Sequence, residues 1–509
     1  MRSRPLDMAD DSGPSVRRVF GAAGVSGMVS RWACLILAVG ISGCASAPRM
    51  VVKSAPTAVA KVEPKPLPAG LDPFANPDPF PSTYRPLAAV PTVIVNAHIL
   101  SPTSPEIASG SILMSGGKIA AIGADVVVPA GARVIDAHGR VVTPGIIDPH
   151  SHLGVYPSPG VEAMSDGNEM TDPNTAQVWA EHSVWPQDPG FVRALAGGVT
   201  TLDILPGSAN LFGGRSVVLK TVAATTAQGM KFPGAPYDLK MACGENPKRV
   251  YGSKGRAPST NMGNVAGYRA AWIAARDYQR KWEDYRAKIA KGEKADAPTR
   301  NLQLDTLAGV LRGEIRIQNH CYRADEMAQM IDISHEFGFR IAAFHHASES
   351  YKIAELLRKE DICSVTWAEW WGFKMEAFDG IEENAAILQR AGACVTLSSD
   401  DANLVQHLNV EAALAMAAGN RAGLAITRQE AIAWITLNPA KALGIDTLTG
   451  SLDPGKMADV VIWSADPFSV YAVPDQVYID GALAWDVNDP AHQPKSDFML
   501  GQPAAGGAL

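Results

Sequence analysis

Cysteine is scarce and scattered in this chain: six among 509 residues, with no Cys-x-x-Cys pair. That spacing carries no metal or redox signature, and no function is read from it. There is no basic block and no basic stripe interleaved with aromatics, which argues against nucleic acid. The formal net charge of -7 is mild acidity, a statement about solubility and not about partners. An apolar run from Ala33 to Ile41 is too short to span a bilayer comfortably. Gly213-Gly214-Arg215, near Leu205-Pro206-Gly207, lacks the Lys-Ser/Thr of a phosphate loop, so nucleotide binding is discounted. What is present is ordinary globular composition, 47% hydrophobic and 19% charged, with length for a large core and more than one domain.

The most informative stretch is Thr143-Pro144-Gly145-Ile146-Ile147-Asp148-Pro149-His150-Ser151-His152. Side chains alternate along a strand, so His150 and His152 share a face at its carboxyl end. Two imidazoles on one face can ligate a divalent metal such as zinc. The alternative, two surface histidines on an edge strand, is disfavoured by the Pro-Gly turn and the Ile-Ile run. This motif resembles the Pro-Gly-x-Ile-Asp-x-His-x-His of the amidohydrolase superfamily, and the resemblance extends roughly over residues 89–487. The imidazolonepropionase-like and Xaa-Pro-dipeptidase-like branches are the most similar. It implies a metal-bearing (β/α)8 barrel of the TIM type.

Runs that read as strands alternate with helix-like ones, as a parallel α/β barrel requires. The strands are expected to end near His152, Leu205, Thr221, Gly244, His320, His346, Trp367 and Ser399. Short alternating runs in 89–142 and in 445–487 read as antiparallel β units. The resemblance implies that they join in one small β-sandwich around a barrel of residues 143–444. Residues 264–312 form a charged, helix-like insertion whose apolar spacing predicts one face packed on the core, with a substrate lid or dimer contact as the alternative. Homo-oligomerisation is left open.

Ahead of these units, Ile41-Ser42-Gly43-Cys44 resembles the bacterial lipobox. That implies a signal peptide over 1–44, lipidation of Cys44, and a lipid-anchored protein of the cell envelope, on the periplasm-facing outer membrane. A short membrane anchor with a chance cysteine is the alternative. Arg17-Arg18 resembles a weak twin-arginine signal, and translation from Met28 is a second option for the start. Residues 45–88, rich in Pro and Ala, read as a tether, and 488–509 as a C-terminal tail. Cys243, Cys321, Cys363 and Cys394 remain; an oxidising compartment permits disulfides, but buried thiols on or beside strands are the expected state.

The remaining ligands are expected at the C-terminal strand ends. Glu314 to His320 brings His320 to the fifth. Arg340 to His346 brings His345 and His346 to the sixth, and only one of these neighbours can face the mouth. The superfamily's His followed by Gly or Ala favours His346, leaving His345 to pack or orient a neighbour. Leu397-Ser398-Ser399-Asp400 resembles the superfamily's metal-bound aspartate, assigned to Asp400, with Asp401 a capping or solvated acid. Two residues compete as a bridging carboxylate on the fourth strand. Glu245 is favoured; Lys240, which resembles the lysine that related dipeptidases carboxylate, follows closely. A buried structural Lys240, and a loop Glu245 paired with Lys248 or Arg249, are the plainer alternatives.

The set implies a divalent cofactor, two zinc ions per chain with manganese or iron as alternatives, and Asp400 as the residue that moves the water's proton. Asn246, Lys248, Arg249, Tyr251, Tyr322 and Arg323 are candidate substrate contacts; a cationic pair suits a carboxylate. The expected reaction is hydrolysis of a small C–N amide, a dipeptide or N-acyl amino acid. A mononuclear imidazolonepropionase-type ring opener is the first alternative, and a non-catalytic ligand-binding lipoprotein the second. Superfamily deaminases commonly carry Glu three residues after the strand-five histidine; here that position is Arg323, which argues against deamination.

Overall fold

The computed structural model describes residues 66–158, 160–370 and 372–493. The expected signal peptide with Cys44, the first half of the expected tether and residues 494–509 lie outside the described residues. The described chain opens with β1 (Thr92–Ile99), β2 (Ile107–Ser115), β3 (Lys118–Gly123), β4 (Arg133–Asp136) and β5 (Val141–Pro144). Nine strands follow between helices: β6 (Ile146–Ser151), β7 (Val199–Ile204), β8 (Phe212–Arg215), β9 (Val217–Lys220), β10 (Tyr237–Ala242), β11 (Ile315–Cys321), β12 (Ala343–His346), β13 (Cys363–Thr366) and β14 (Val395–Leu397). β15 (Val460–Trp463), β16 (Pro474–Ile479) and β17 (Ala482–Asp486) complete the set.

Both ends of this span contribute to one eight-stranded sheet, ordered β17-β16-β15-β5-β1-β2-β3 with β4 on β1. The expectation from the family was a sandwich. Here β5 pairs with β1 on one side and β15 on the other, so the hydrogen bonding runs through without a break between two layers. Ile94, Ile112, Met114, Val460, Ile462 and Tyr478 form its apolar face.

The central strands form a three-stranded sheet, β6-β7-β9, and a six-stranded one, β14-β13-β12-β11-β10-β8. β10 to β14 are parallel throughout, and so are β6 and β7. The third strand, expected to end near Thr221 as a parallel member, is different. Residues 212–220 form one extended run that is antiparallel to β7 through β9 and to β10 through β8. Periodicity reports which residues are extended, not which way they run. No strand ladder joins β14 to β6. They meet through Asp148, whose Oδ2 accepts from Ser399 Oγ at 2.5 Å, and through the Asp400 amide, which donates to the His150 carbonyl at 3.1 Å. Gly145 enters β6 where a Cβ would stand 2.2 Å from Thr200 Oγ1, so the Pro-Gly turn leaves no room for a side chain.

A 30-residue helix, Asn261–Ala290, occupies much of the insertion. Tyr268, Trp272, Ala275, Tyr278 and Trp282 recur at helical spacing and are buried, so this face packs against the body. No helix among the described residues is long and apolar enough to cross a membrane.

Two differences from the sequence reading have clear physical causes. The four cysteines expected as buried thiols form two disulfides, Cys243–Cys321 and Cys363–Cys394, each tying neighbouring parallel strands or their ends. The described part of the tether lies against the body. Phe74 packs on Trp282, Ser82 Oγ donates to the Lys231 carbonyl at 2.6 Å, and Tyr84 OH donates to Asp480 Oδ2 at 2.6 Å.

Candidate metal centre

The parallel strands β6, β11 and β12 deliver four histidines to one mouth. His150 lies next to the end of β6 with His152 just beyond it, His320 lies near the end of β11, and His346 ends β12. His150, His320 and His346 are buried. Asp400 follows β14, where left-handed backbone (φ 49°) turns its carboxylate toward them; His346 adopts φ 70° at the end of β12. Asp400 Oδ1 stands 3.4 Å from both His150 Nε2 and His152 Nε2, and those two nitrogens are 3.4 Å apart. His346 Nδ1 lies 3.7 Å from Asp400 Oδ2. Asp401 does not join them; its Oδ1 accepts from the amides of Asn403 and Leu404, a local cap.

Proton positions follow from the partners. His152 Nδ1 is 2.8 Å from the Leu205 carbonyl, which can only accept, so Nδ1 carries the proton and Nε2 presents its lone pair to the cluster. For His150 the logic runs through three residues. Gln318 Nε2 donates to Asp238 Oδ2 at 3.1 Å, which leaves Gln318 Oε1 to accept from His345 Nε2 at 2.8 Å. His345 Nδ1 therefore accepts from His150 Nδ1, also at 2.8 Å, and His150 Nε2 is left unprotonated. Burial holds His150, His320, His345 and His346 well below the ordinary histidine pKa, so they stay neutral at physiological pH. Outer hydrogen bonds that fix a tautomer are what a metal-ligating histidine needs.

Lys240, at the fourth residue of β10, is buried, with Nζ 3.4 Å from His150 Nε2. Burial pulls its amine down to about 8, against the pull of Asp400 and Asp203. Glu245 makes no hydrogen bond or ion pair with the histidines among the described residues. Gly244 (φ 78°) opens the helix Glu245–Gly252, and the Glu245 carboxylate, a third exposed, pairs with Lys374 Nζ at 3.4 Å.

The substrate candidates divide. Asn246 Nδ2 is 2.9 Å from Ser208 Oγ and 3.4 Å from His320 Nε2, and Tyr322 stacks on His346 at 4.9 Å between ring centres. Tyr251 is buried, its hydroxyl bonded to the Asp172 carbonyl at 2.7 Å and to Asn210. Arg323 is half exposed and held by Asp325 at 2.9 Å. Arg249 is exposed, while half-buried Lys248 offsets only part of the rise to about 7 that burial and Glu376 impose on the carboxyl of Glu326. The loop after β13 adds residues that the sequence did not single out. Trp367 also stacks on His346, at 4.6 Å, with its ring 6.2 Å from that of Tyr322, and Trp370 stacks on Trp367 at 5.0 Å. Lys374 Nζ sits 4.0 Å over the Tyr322 ring and 3.2 Å from Glu376. Trp367-x-x-Trp370 directly after a strand end was a visible signal; Lys374 had none.

The donor set fits a divalent cation. Candidate ligand atoms of His150, His152 and Asp400 all lie within 4.8 Å of one another. His320 Nδ1 and His346 Nδ1 are buried without a hydrogen-bond partner, so each has a lone pair or proton still to place. Imidazole nitrogens with a carboxylate oxygen suit zinc and its first-row neighbours.

A crystal structure of an amidohydrolase from Thermotoga maritima MSB8 superposes with a TM-score of 0.71 at 35% identity, covering 78% of this chain and all of that one. Amidohydrolase tasK of Hapsidospora irregularis is 34% identical over 376 residues, which is 70% of this chain. The match spans only 38% of that relative's length. A 5'-deoxyadenosine deaminase of Methanobrevibacter smithii is 22% identical over 424 residues, covering 78% of this chain and 88% of the relative. The amidohydrolase family model matches residues 141–484, a span that contains every histidine and carboxylate of the cluster, and the chain belongs to that family.

Proposed function

We propose that this amidohydrolase is a metal-dependent enzyme hydrolysing a C–N amide bond of a small substrate, a dipeptide or N-acyl amino acid, at the mouth of a (β/α)8-type barrel. The observation that carries the reading is the convergence of His150 Nε2, His152 Nε2 and Asp400 Oδ1 at 3.4 Å, both nitrogens presenting lone pairs. His150, His152, His320, His346 and Asp400 would hold two zinc ions, with Lys240 as the bridge. Lys240 is suited to that role by its position 3.4 Å from His150 and by an amine that is partly neutral near pH 8. Attack of that amine on CO2 forms the N–C bond of a carbamate and releases one proton, which turns a repelling cation into an anion.

Bound divalent ions lower the pKa of water toward neutrality and polarise a carbonyl. Asp400 takes the proton of the attacking water and returns it to the leaving amine. Asn246 and Tyr322 flank His320 and orient the amide, while Lys374 offers a cation to a substrate carboxylate. Trp367 and Tyr322 both pack on the His346 ring and keep bulk water from that side. Deamination fits less well: three residues after His320, at the sequence position where superfamily deaminases commonly carry a glutamate, this chain has Arg323, bound to Asp325.

The test is metal content per chain of the form beginning at Ala45, by elemental mass spectrometry, followed by dipeptide, N-acyl amino acid and cyclic amide panels with an ammonia readout. About two ions per chain and amide cleavage without ammonia release support the proposal. About one ion with ring opening supports the mononuclear alternative. No ion after reconstitution with zinc or manganese sinks the enzyme reading and leaves a ligand-binding protein. Export and a lipid anchor at Cys44 belong to the same proposal. They predict that palmitate labels the chain in cells and that Cys44→Ser abolishes the label.

A further inference from the structure

A cavity of about 1090 Å³ opens at the N-terminal ends of β11 to β14, the face of the strands opposite the metal centre. We propose that it binds a small polyanion, a phosphate or a dicarboxylate, and that Arg316 transmits its occupancy to the metal ligand His150.

The charge of the lining supports an anion. Five cations face the cavity: Arg312, Arg316, Arg340, Arg358 and Lys441. Arg312 is neutralised by Glu314 at 2.6 Å, and Arg340 by Asp361 at 3.0 Å. Arg358 and Lys441 have no ion pair among the described residues. Of the lining acids, Asp361 is taken by Arg340 and Glu430 by Arg390 at 2.5 Å, which leaves Asp446 against them. The volume lies just above the usual range of about 300–1,000 Å³ for small-molecule sites. Arg358 and Lys441, both exposed at the rim, are free to close on a ligand. Guanidinium and ammonium groups together suit a carboxylate or phosphate through charge-assisted hydrogen bonds.

Arg316 is different in kind, because it faces two ways. Its Nη2 donates to the carbonyls of Lys441 and Ala442 at 3.1 and 2.7 Å. Its Nε stands 3.7 Å from the buried Asp238 carboxylate. From Asp238 an unbroken series of buried hydrogen bonds passes to Gln318 (3.1 Å), His345 (2.8 Å) and His150 (2.8 Å). The series runs along the inside of the strands from one mouth to the other. An anion that draws Arg316 into the cavity weakens its hold on Asp238, and the change reaches the imidazole whose tautomer the series sets. A contiguous network of this kind is a route for coupling only if both ends respond to the same ligand, so both ends are measured.

Inorganic phosphate and succinate serve as probes. Calorimetry on the zinc-loaded protein is expected to show saturable binding of at least one of them, weakened about tenfold or more by Arg358→Gln with Lys441→Gln. Saturating anion is expected to change the rate of zinc loss to a chromogenic chelator by about twofold or more. Arg316→Gln should remove that change, and Arg316→Lys, which keeps the charge, guards against a folding defect. The absence of saturable binding by either probe overturns the site. So does binding that ignores the cavity pair but disappears when zinc is stripped, since the anion then sits on the metal centre. Saturable binding with an unchanged rate of zinc loss overturns the coupling. The coupling rests on the metal-dependent reading above, whereas anion binding does not, so calorimetry on the cavity variants separates the failure of one from the failure of the other.

Discussion

His345 and His150 meet nitrogen to nitrogen, Nδ1 to Nδ1 at 2.8 Å, and both are buried. Two neutral imidazoles can make that contact only if one donates and the other accepts. Gln318 decides which, by accepting from the far side of His345 at 2.8 Å. The consequence is a neutral His150 whose one proton sits on Nδ1, because moving it to Nε2 would break a buried series of bonds, while burial disfavours the doubly protonated ring.

His345→Leu keeps the volume of the ring roughly but leaves His150 Nδ1 without its acceptor. The expected outcome is zinc affinity weaker by roughly 10–100-fold with the fold retained. Chelator competition with circular dichroism as the control measures it. Unchanged affinity would mean that His150 is not held by this contact in solution.

Lys220, fully buried, lies 3.2 Å from Asp459 and 3.0 Å from Asp480, and joins the last central strand of its sheet to the eight-stranded sheet. Tyr84 OH and Thr449 Oγ1 donate to the same two carboxylates at 2.6 and 2.9 Å. Lys220→Met strands two adjacent carboxylates in the interior. A loss of about 3–5 kcal/mol is expected, read as a lowered denaturation midpoint. Lys220→Met with Asp459→Asn and Asp480→Asn should recover much of it, because no uncompensated charge remains.

These contacts show where sequence stops being legible. His150, His152 and His320 could be placed because strand ends and two-residue alternation are local properties, whereas His346 over His345, and Asp400, were placed by their resemblance to the superfamily's patterns. The direction of residues 212–220 is not local, and neither are disulfides whose partners lie 78 and 31 residues apart. Glu245 looked like the bridging acid because it follows a strand closely. A left-handed Gly244 instead starts a helix there and hands its carboxylate to Lys374, a loop residue with no motif of its own. His345 was read as packing or orienting a neighbour, but its partners Asp238 and Gln318 were hidden, because they lie on two other strands and only the folded interior brings the three together.

The loop that carries Trp367 is pinned by a buried acid, and that gives a pH signature. Glu411 accepts from the Ala368 amide at 2.8 Å. Burial, helped by Glu369, raises its pKa from 4.5 to about 7. A folded-state pKa above the unfolded value stabilises fully below about 4.5 and is lost as pH rises through about 7. Across that window the wild type should lose up to about 3 kcal/mol relative to Glu411→Gln, whose curve lacks this contribution. Thermal melts of the pair every half pH unit check it, and parallel curves would remove Glu411 from the account.

The two disulfides should differ in what they protect. Both are expected to show in a thiol titration of the form beginning at Ala45: no free thiol after unfolding without reductant, and four with it, from Cys243, Cys321, Cys363 and Cys394. Cys363–Cys394 closes a span of 31 residues at the strand ends remote from the metal centre. Removing it with paired alanines should cost about 3–4 kcal/mol, by the entropy released to the unfolded chain, and leave zinc affinity unchanged. Cys243–Cys321 lies beside the proposed ligand His320, since Cys321 follows it and the Cys243 amide donates to the His320 carbonyl at 2.9 Å. Its removal frees the end of β11 as well as the chain, so zinc affinity should fall along with stability. Equal effects of the two pairs on zinc would mean that the bond near His320 does no more than hold the chain together.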